Sequence, residues 1–161
     1  MRHGIAVEPE TWRGTDFDRP LTLEGEQRIE REAIAIDELA LGLDCIVTSP
    51  LLRAKQTAAA VAERLDMRAK VVEDSRLAGG FNLSQFAAIL ASHAGVSALM
   101  LVGHEPTMSA VIGAAIGGAS VELKKAALAA IEVPDPESSP KGMLLSLIPP
   151  KVLVALGKRR R

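Results

Sequence analysis

The feature that most narrows the folds open to this chain is a regular alternation, in which short β-prone apolar runs are separated by longer stretches of helical period. The runs fall at residues 45–48, 70–73, 98–102, 127–133 and 143–148. Between them Ile29, Ala33, Ile36, Ala40 and Leu43 recur at spacings of three and four, and Ala54, Ala58, Val61, Ala62 and Leu65 follow the same template. It returns in Leu83, Phe86, Ala87, Leu90 and Ala91, and again in Met108, Val111, Ile112, Ala115 and Ile116. Amphipathic helices alternating with strands imply an α/β three-layer sandwich: a mostly parallel central sheet with helices on both faces. The Pro-, Ser- and Gly-rich segment 134–142 reads as a hairpin loop, so the last two strands form a C-terminal antiparallel pair. Gly118 is placed to close the helix before it.

A chain of 161 residues is the size of one domain, and we expect a single domain over 1–161. No apolar stretch reaches the ~20 residues of a membrane span. With 19 basic and 20 acidic residues the net charge is -1, and aromatics are 2% with no Tyr. Neither a nucleic-acid footprint nor a base-stacking platform is visible, so any anion site must be local. The single Cys45 cannot form an internal disulfide, and one Cys with three His cannot close a structural zinc site without carboxylates. A reducing cytoplasm fits this usage, and the residues after Met1 lack the apolar core of a signal peptide. The tail Lys158, Arg159, Arg160 and Arg161 reads as a frayed, solvated terminus.

Basic residues gather at the expected strand-to-helix junctions. In Thr48-Ser49-Pro50-Leu51-Leu52-Arg53, Ser49 can cap a helix and Pro50 suits its first position, which puts Arg53 in the first turn. In Val102-Gly103-His104-Glu105-Pro106 the strand ends at Gly103, Pro106 again suits a first helical position, and His104 lies just past the carboxyl end of the strand. Ligands bind at that edge in open α/β sheets. Arg2-His3-Gly4, where Gly permits a close turn, makes a third junction if a strand precedes it. Arg2, His3, Arg53 and His104 brought to one edge, beside helix N-termini, suit a small tetrahedral dianion such as phosphate. Arg offers paired donors, and a neutral imidazole can attack phosphorus. A metal bound by His3 and His104 lacks a third ligand, and His93 near a helix end most simply favours that end's dipole.

Arg2-His3-Gly4, then Arg19-Pro20-Leu21-Thr22 with Gly25, then Ser49-Pro50-Leu51-Leu52-Arg53-Ala54-Lys55-Gln56-Thr57, then Gly103-His104-Glu105-Pro106, resemble the histidine phosphatase superfamily in order and spacing. The length and terminal hairpin are similar to its small SixA-type branch, the phosphohistidine phosphatases. The resemblance implies the phosphoglycerate mutase-like fold and a two-step displacement, without metal or cofactor. His3 attacks the phosphoryl group to form a phosphohistidine that water hydrolyses to inorganic phosphate, while Arg2, Arg53 and His104 cradle the oxygens. Arg19 ties its loop to the rim of the pocket and Gly4 lies within the substrate-binding set. Neighbouring Arg charges are expected to keep His3 neutral.

Larger branches carry a Glu after the third strand that protonates the leaving oxygen, whereas Ser75-Arg76-Leu77-Ala78-Gly79-Gly80-Phe81 has no carboxylate there. A missing acid penalises an alkoxide more than an imidazole leaving group. A phosphohistidine-bearing protein is therefore the expected substrate, with a small-molecule phosphomonoester or a catalytically impaired phosphate-binding module as the alternatives. Glu105 can serve as an acid or as a helix-start cap, the cap being the simpler reading. Asp16 and Asp18 either orient Arg19 or are solvated loop acids, with solvation preferred, and Asp18 is the other candidate acid. A central strand ending at Arg2-His3-Gly4 needs apolar residues ahead of Met1, so we expect a short extension there in the natural protein.

Overall fold

The computed structural model describes residues 1–158, so the basic tail beyond Lys158 lies outside the described residues. Three short strands, β1 (Cys45–Thr48), β2 (Val71–Glu73) and β3 (Leu99–Val102), form a parallel sheet in the order β2-β1-β3. The last two strands, β4 (Leu128–Glu132) and β5 (Met143–Ile148), pair antiparallel as a separate two-stranded sheet, with a register shift between Ala130 and Ile131. All five lie within the runs read from the sequence.

Residues 1–3 stitch the two sheets together. On one side the Gly103 amide donates to the Met1 carbonyl (3.1 Å) and the His3 amide to the Gly103 carbonyl (3.1 Å). On the other, the Arg2 amide donates to Ala127 (3.2 Å) and the Ala126 amide to His3 (3.0 Å). Arg2-His3-Gly4 therefore emerges between β3 and β4, at the strand edge where β1 and β3 also deliver their junctions. Beside Met1, a cavity of about 100 Å³ is lined by Leu99 and Leu101 of β3 and by Ala129 and Ile131 of β4, among others.

Helices cover both faces. The amphipathic stretches become α1 (Leu23–Glu38), α2 (Leu52–Arg64), α3 (Leu83–Ser92) and α4 (Thr107–Ala115). α1 and α2 bury Ile29, Ile36, Ala58 and Val61 against Ile46, Met100 and Val102 of one sheet face. α3 and α4 bury Phe86, Ile89, Val111 and Ile112 against the other, where Val47 points. Ile46 and Val47, adjacent in β1, thus serve opposite cores, as the two-residue period of a strand requires. A fifth helix, α5 (Pro150–Gly157), starts with Pro150 at its first position and packs along α1, burying Leu153 completely. The sequence reading contained no helix there. No helix among the described residues is long and apolar enough to cross a membrane.

Two helix starts differ from expectation by one or two residues. α2 is capped at Leu51, not Ser49, and Pro106 is the cap of α4 and not its first residue. Arg53 still falls in the first turn. α4 ends at Ala115, and Gly117 and Gly118 both follow in the left-handed region, φ 96° and 93°.

Candidate active site

The loop leaving Arg2-His3-Gly4 is fastened to α1 and α2 by the residues that make up the second and third motifs. The Gly4 amide donates to Thr57 Oγ1 (3.0 Å), whose hydroxyl in turn donates to the Arg53 carbonyl (2.7 Å). Gly4 is required here by close packing and not by a turn of positive φ, since a Cβ would come within 2.8 Å of Ile29 Cγ1. Thr22 caps α1 by accepting from the Gly25 amide (3.0 Å), and Leu21 is held by Gln56 Oε1 (2.8 Å). A Cβ on Gly25 would meet the Ile5 carbonyl oxygen at 2.1 Å, so only glycine lets α1 approach that backbone.

This framework brings His3, Arg2, Arg53 and His104 to one place. The His3 and His104 rings lie 5.0 Å apart, and both residues are 7% exposed. His3 Nδ1 stands 2.8 Å from the Gly4 carbonyl. A carbonyl can only accept, so Nδ1 carries the proton and Nε2 holds the lone pair. Burial, followed by the His104 neighbour and then Arg53 and Arg2, lowers the His3 pKa to about 3 against an opposing pull from the Gly4 bond. His104 is lowered to about 4, again by burial first and Arg53 second. Burial, rather than the Arg charges named from the sequence, is the leading reason these rings stay neutral.

Among the described residues four buried side-chain polar atoms have no hydrogen-bond partner: Arg2 Nε, Arg53 Nε, His104 Nδ1 and Glu32 Oε2. Three of them belong to this one cluster. Buried polar atoms are nearly always satisfied, so three unpartnered nitrogens within one cluster can take acceptor oxygens. Other atoms of these groups are held: Arg2 Nη1 donates to the Leu123 carbonyl (3.1 Å), and His104 Nε2 contacts Ser49 Oγ (2.8 Å). Ser49 is fully buried and accepts from the Leu51 amide (3.3 Å); a hydroxyl that donates to Nε2 puts the His104 proton on Nδ1.

Of the three carboxylates weighed from the sequence, only Asp16 departs from expectation. Asp16, read as a solvated loop acid, accepts from Arg19 Nε (2.8 Å) and Arg53 Nη2 (3.0 Å), and its own carbonyl accepts from Arg53 Nη1 (2.8 Å). Asp18 is exposed and accepts from the Thr15 hydroxyl (2.7 Å). Glu105 accepts from the Ser109 amide (3.2 Å), the first-turn capping contact. Arg19 gives Nη1 to the Val7 carbonyl (2.6 Å) and Nε to Asp16, closing the loop 7–19 on itself. His93 ends α3 with Nδ1 2.9 Å from the Ile89 carbonyl. Among the described residues no three His, Cys, Asp or Glu side chains converge to hold a metal. Asp16, Ser49 and Thr57 are the members of the site that sequence reasoning missed. The signal available for Ser49 and Thr57 was their place in the third motif, and for Asp16 its position three residues before Arg19.

Comparison with known proteins points one way. The sequence profile of the histidine phosphatase superfamily (branch 1) matches residues 1–79. An uncharacterized protein of Picosynechococcus sp. is 37% identical over 134 residues, covering 80% of this chain and 79% of that protein. Among solved structures, the protein histidine phosphatase SixA complexed with tungstate superposes with TM-score 0.84 at 23% identity, over 95% of this chain and 96% of that one. A putative phosphohistidine phosphatase SixA from Agrobacterium tumefaciens gives TM-score 0.76 at 24% identity, covering 92% and 94%. A putative alpha-ribazole-5'-P phosphatase from Escherichia coli K-12 gives 0.74 at 16% identity, covering 92% and 93%. The fold is the one these proteins share.

Proposed function

The chain belongs to the histidine phosphatase superfamily, and on that premise we propose that it removes phosphoryl groups from phosphohistidine on a protein, through a phosphohistidine formed on His3. The observation that carries the reading is the coincidence of an unprotonated Nε2 on His3 with three unpartnered donors on Arg2, Arg53 and His104. The Nε2 lone pair attacks phosphorus as the bond to the leaving imidazole nitrogen breaks, and that nitrogen takes a proton from water. A second water then attacks, the P–Nε2 bond breaks, and inorganic phosphate leaves with His3 restored. Arg2 and Arg53 spread their charge over the equatorial oxygens, and His104, oriented by Ser49, donates through Nδ1. Each lost donor lowers the rate by about 10²–10³.

The substrate preference rests on the carboxylates. Glu105 is engaged at the start of α4, Asp18 lies out on the loop, and Asp16 is ion-paired with two guanidiniums. None stands free to protonate an alkoxide, which leaves an imidazole as the leaving group the site handles best. The lone Cys45 supports a cytoplasmic setting.

The test is release of phosphate from a phosphohistidine-carrying protein compared with a panel of phosphate monoesters. We expect faster release from the protein, an acid-labile label on His3, and neither label nor turnover in His3→Ala. Faster ester hydrolysis establishes a small-molecule phosphomonoesterase instead. Label without turnover identifies an impaired phosphate-binding module.

A further inference from the structure

Arg53 is the most deeply buried guanidinium of the cluster, with its side chain 6% exposed, yet two of its nitrogens are already engaged by a surface residue. That residue, Asp16, is 61% exposed in its side chain and sits in a run, residues 13–18, in which every residue is exposed. A carboxylate and a phosphoryl group ask for the same paired N–H donors. The geometry points to Asp16 as a displaceable anionic gate, a carboxylate that holds Arg53 Nη2, yields it to the incoming phosphoryl group, and competes to expel inorganic phosphate after hydrolysis. The inference rests on the phosphoryl-binding reading of the cluster given above.

The surrounding contacts fit a group that moves over a short distance. Arg19 holds Asp16 Oδ1 at 2.8 Å and is itself anchored to the Val7 carbonyl, so the carboxylate can let go of Arg53 without losing its other partner. The loop backbone is pinned at the next residue, where the Phe17 carbonyl accepts from the Leu52 amide (2.9 Å) at the start of α2. A side-chain rotation, without an excursion of the loop, therefore frees Nη2 beside the unpartnered Nε, while Nη1 stays on the Asp16 carbonyl. An acid role fits poorly: partial burial acts to raise the Asp16 pKa, but the Arg19 and Arg53 bonds outweigh it and hold the group below the usual carboxylate range, so it is ionised at neutral pH. Its negative charge acts to raise the His104 pKa against the burial that lowers it, so the carboxylate lies within electrostatic reach of that ring.

A competing gate and a mere support for Arg53 predict opposite signs. Inorganic phosphate is titrated calorimetrically into the full chain at neutral pH, in wild type, Asp16→Asn, Asp16→Ala and Arg53→Ala. Taking one negative charge from the margin of a dianion site should tighten phosphate binding about tenfold in both Asp16 variants. Arg53→Ala should lose binding. Unchanged or weaker binding in the folded Asp16 variants overturns the gate while leaving the phosphoryl site standing, with Asp16 as a buttress. Failure of folded wild type to bind phosphate at all overturns the site reading, and the gate falls with it.

Discussion

At the scale of single residues the proposed site depends on protons withheld. His3 has a folded-state pKa of about 3 and His104 of about 4, both below the ordinary 6.5, and in each case burial is the largest cause. A ¹⁵N NMR titration of the imidazoles should therefore show His3 neutral, with its proton on Nδ1, down to roughly pH 5. A ring that protonates near its ordinary pKa would remove the nucleophile from the proposed mechanism. The stability consequence has a definite sign: below about 6.5 the unfolded chain takes up protons that the folded rings refuse until pH 3–4, so this contribution is complete above 6.5 and is lost as pH falls through that window. The sequence made His3, Arg2, Arg53 and His104 legible because each stands within three residues of a Gly or Pro that punctuates a junction. It could not make Asp16 or Ser49 legible as partners, because the groups they hold lie 37 and 55 residues away along the chain. Only the assembled edge of the sheet brings those pairs within reach.

At the scale of elements, the packing of α1 against the loop after His3 is set by a backbone contact with no room to spare. Gly25→Ala places a Cβ 2.1 Å from the Ile5 carbonyl oxygen, a position that backbone cannot vacate by rotating a side chain. We expect the variant to lose roughly 1–3 kcal/mol in chemical denaturation, with a fall in phosphatase rate as Ile5 drags Gly4 and His3 from register. A variant of unchanged stability and rate would show that α1 adjusts freely. The strands and first four helices were readable because their apolar periods are long enough to be unambiguous. α5 was not, since its eight residues make barely two turns, and of Val152, Leu153 and Leu156 only Leu153 is fully buried while the other two stay about 40% exposed. Two turns are too few for period alone to distinguish such a segment from a tail.

At the scale of the whole molecule, stability is drawn in opposite directions by acid and by base. Glu32 of α1 is fully buried, its Oε2 has no partner, and burial raises its pKa from 4.5 to about 7 against the pull of Arg28. The folded protein thus keeps a proton that the unfolded chain gives up from about pH 4.5 upward, and stability falls as pH rises through 4.5–7. Glu32→Gln should accordingly match wild type near pH 4 and exceed it near pH 8 by on the order of 2–3 kcal/mol, read from paired denaturation curves. A pH-independent difference would mean that Glu32 is ionised in the fold throughout. Net charge conceals this tension, just as a total of -1 concealed the cationic pocket: the sum over a sequence says nothing about which charges the fold withdraws from water. Residues 1–3 carry a further consequence. The same three residues that join the parallel sheet to the antiparallel pair include His3, the proposed nucleophile, so the proposed catalytic centre occupies the molecule's mechanical seam. On the proposed mechanism, a fluctuation that parts the sheets displaces His3 in the same motion, so opening and loss of activity are expected together.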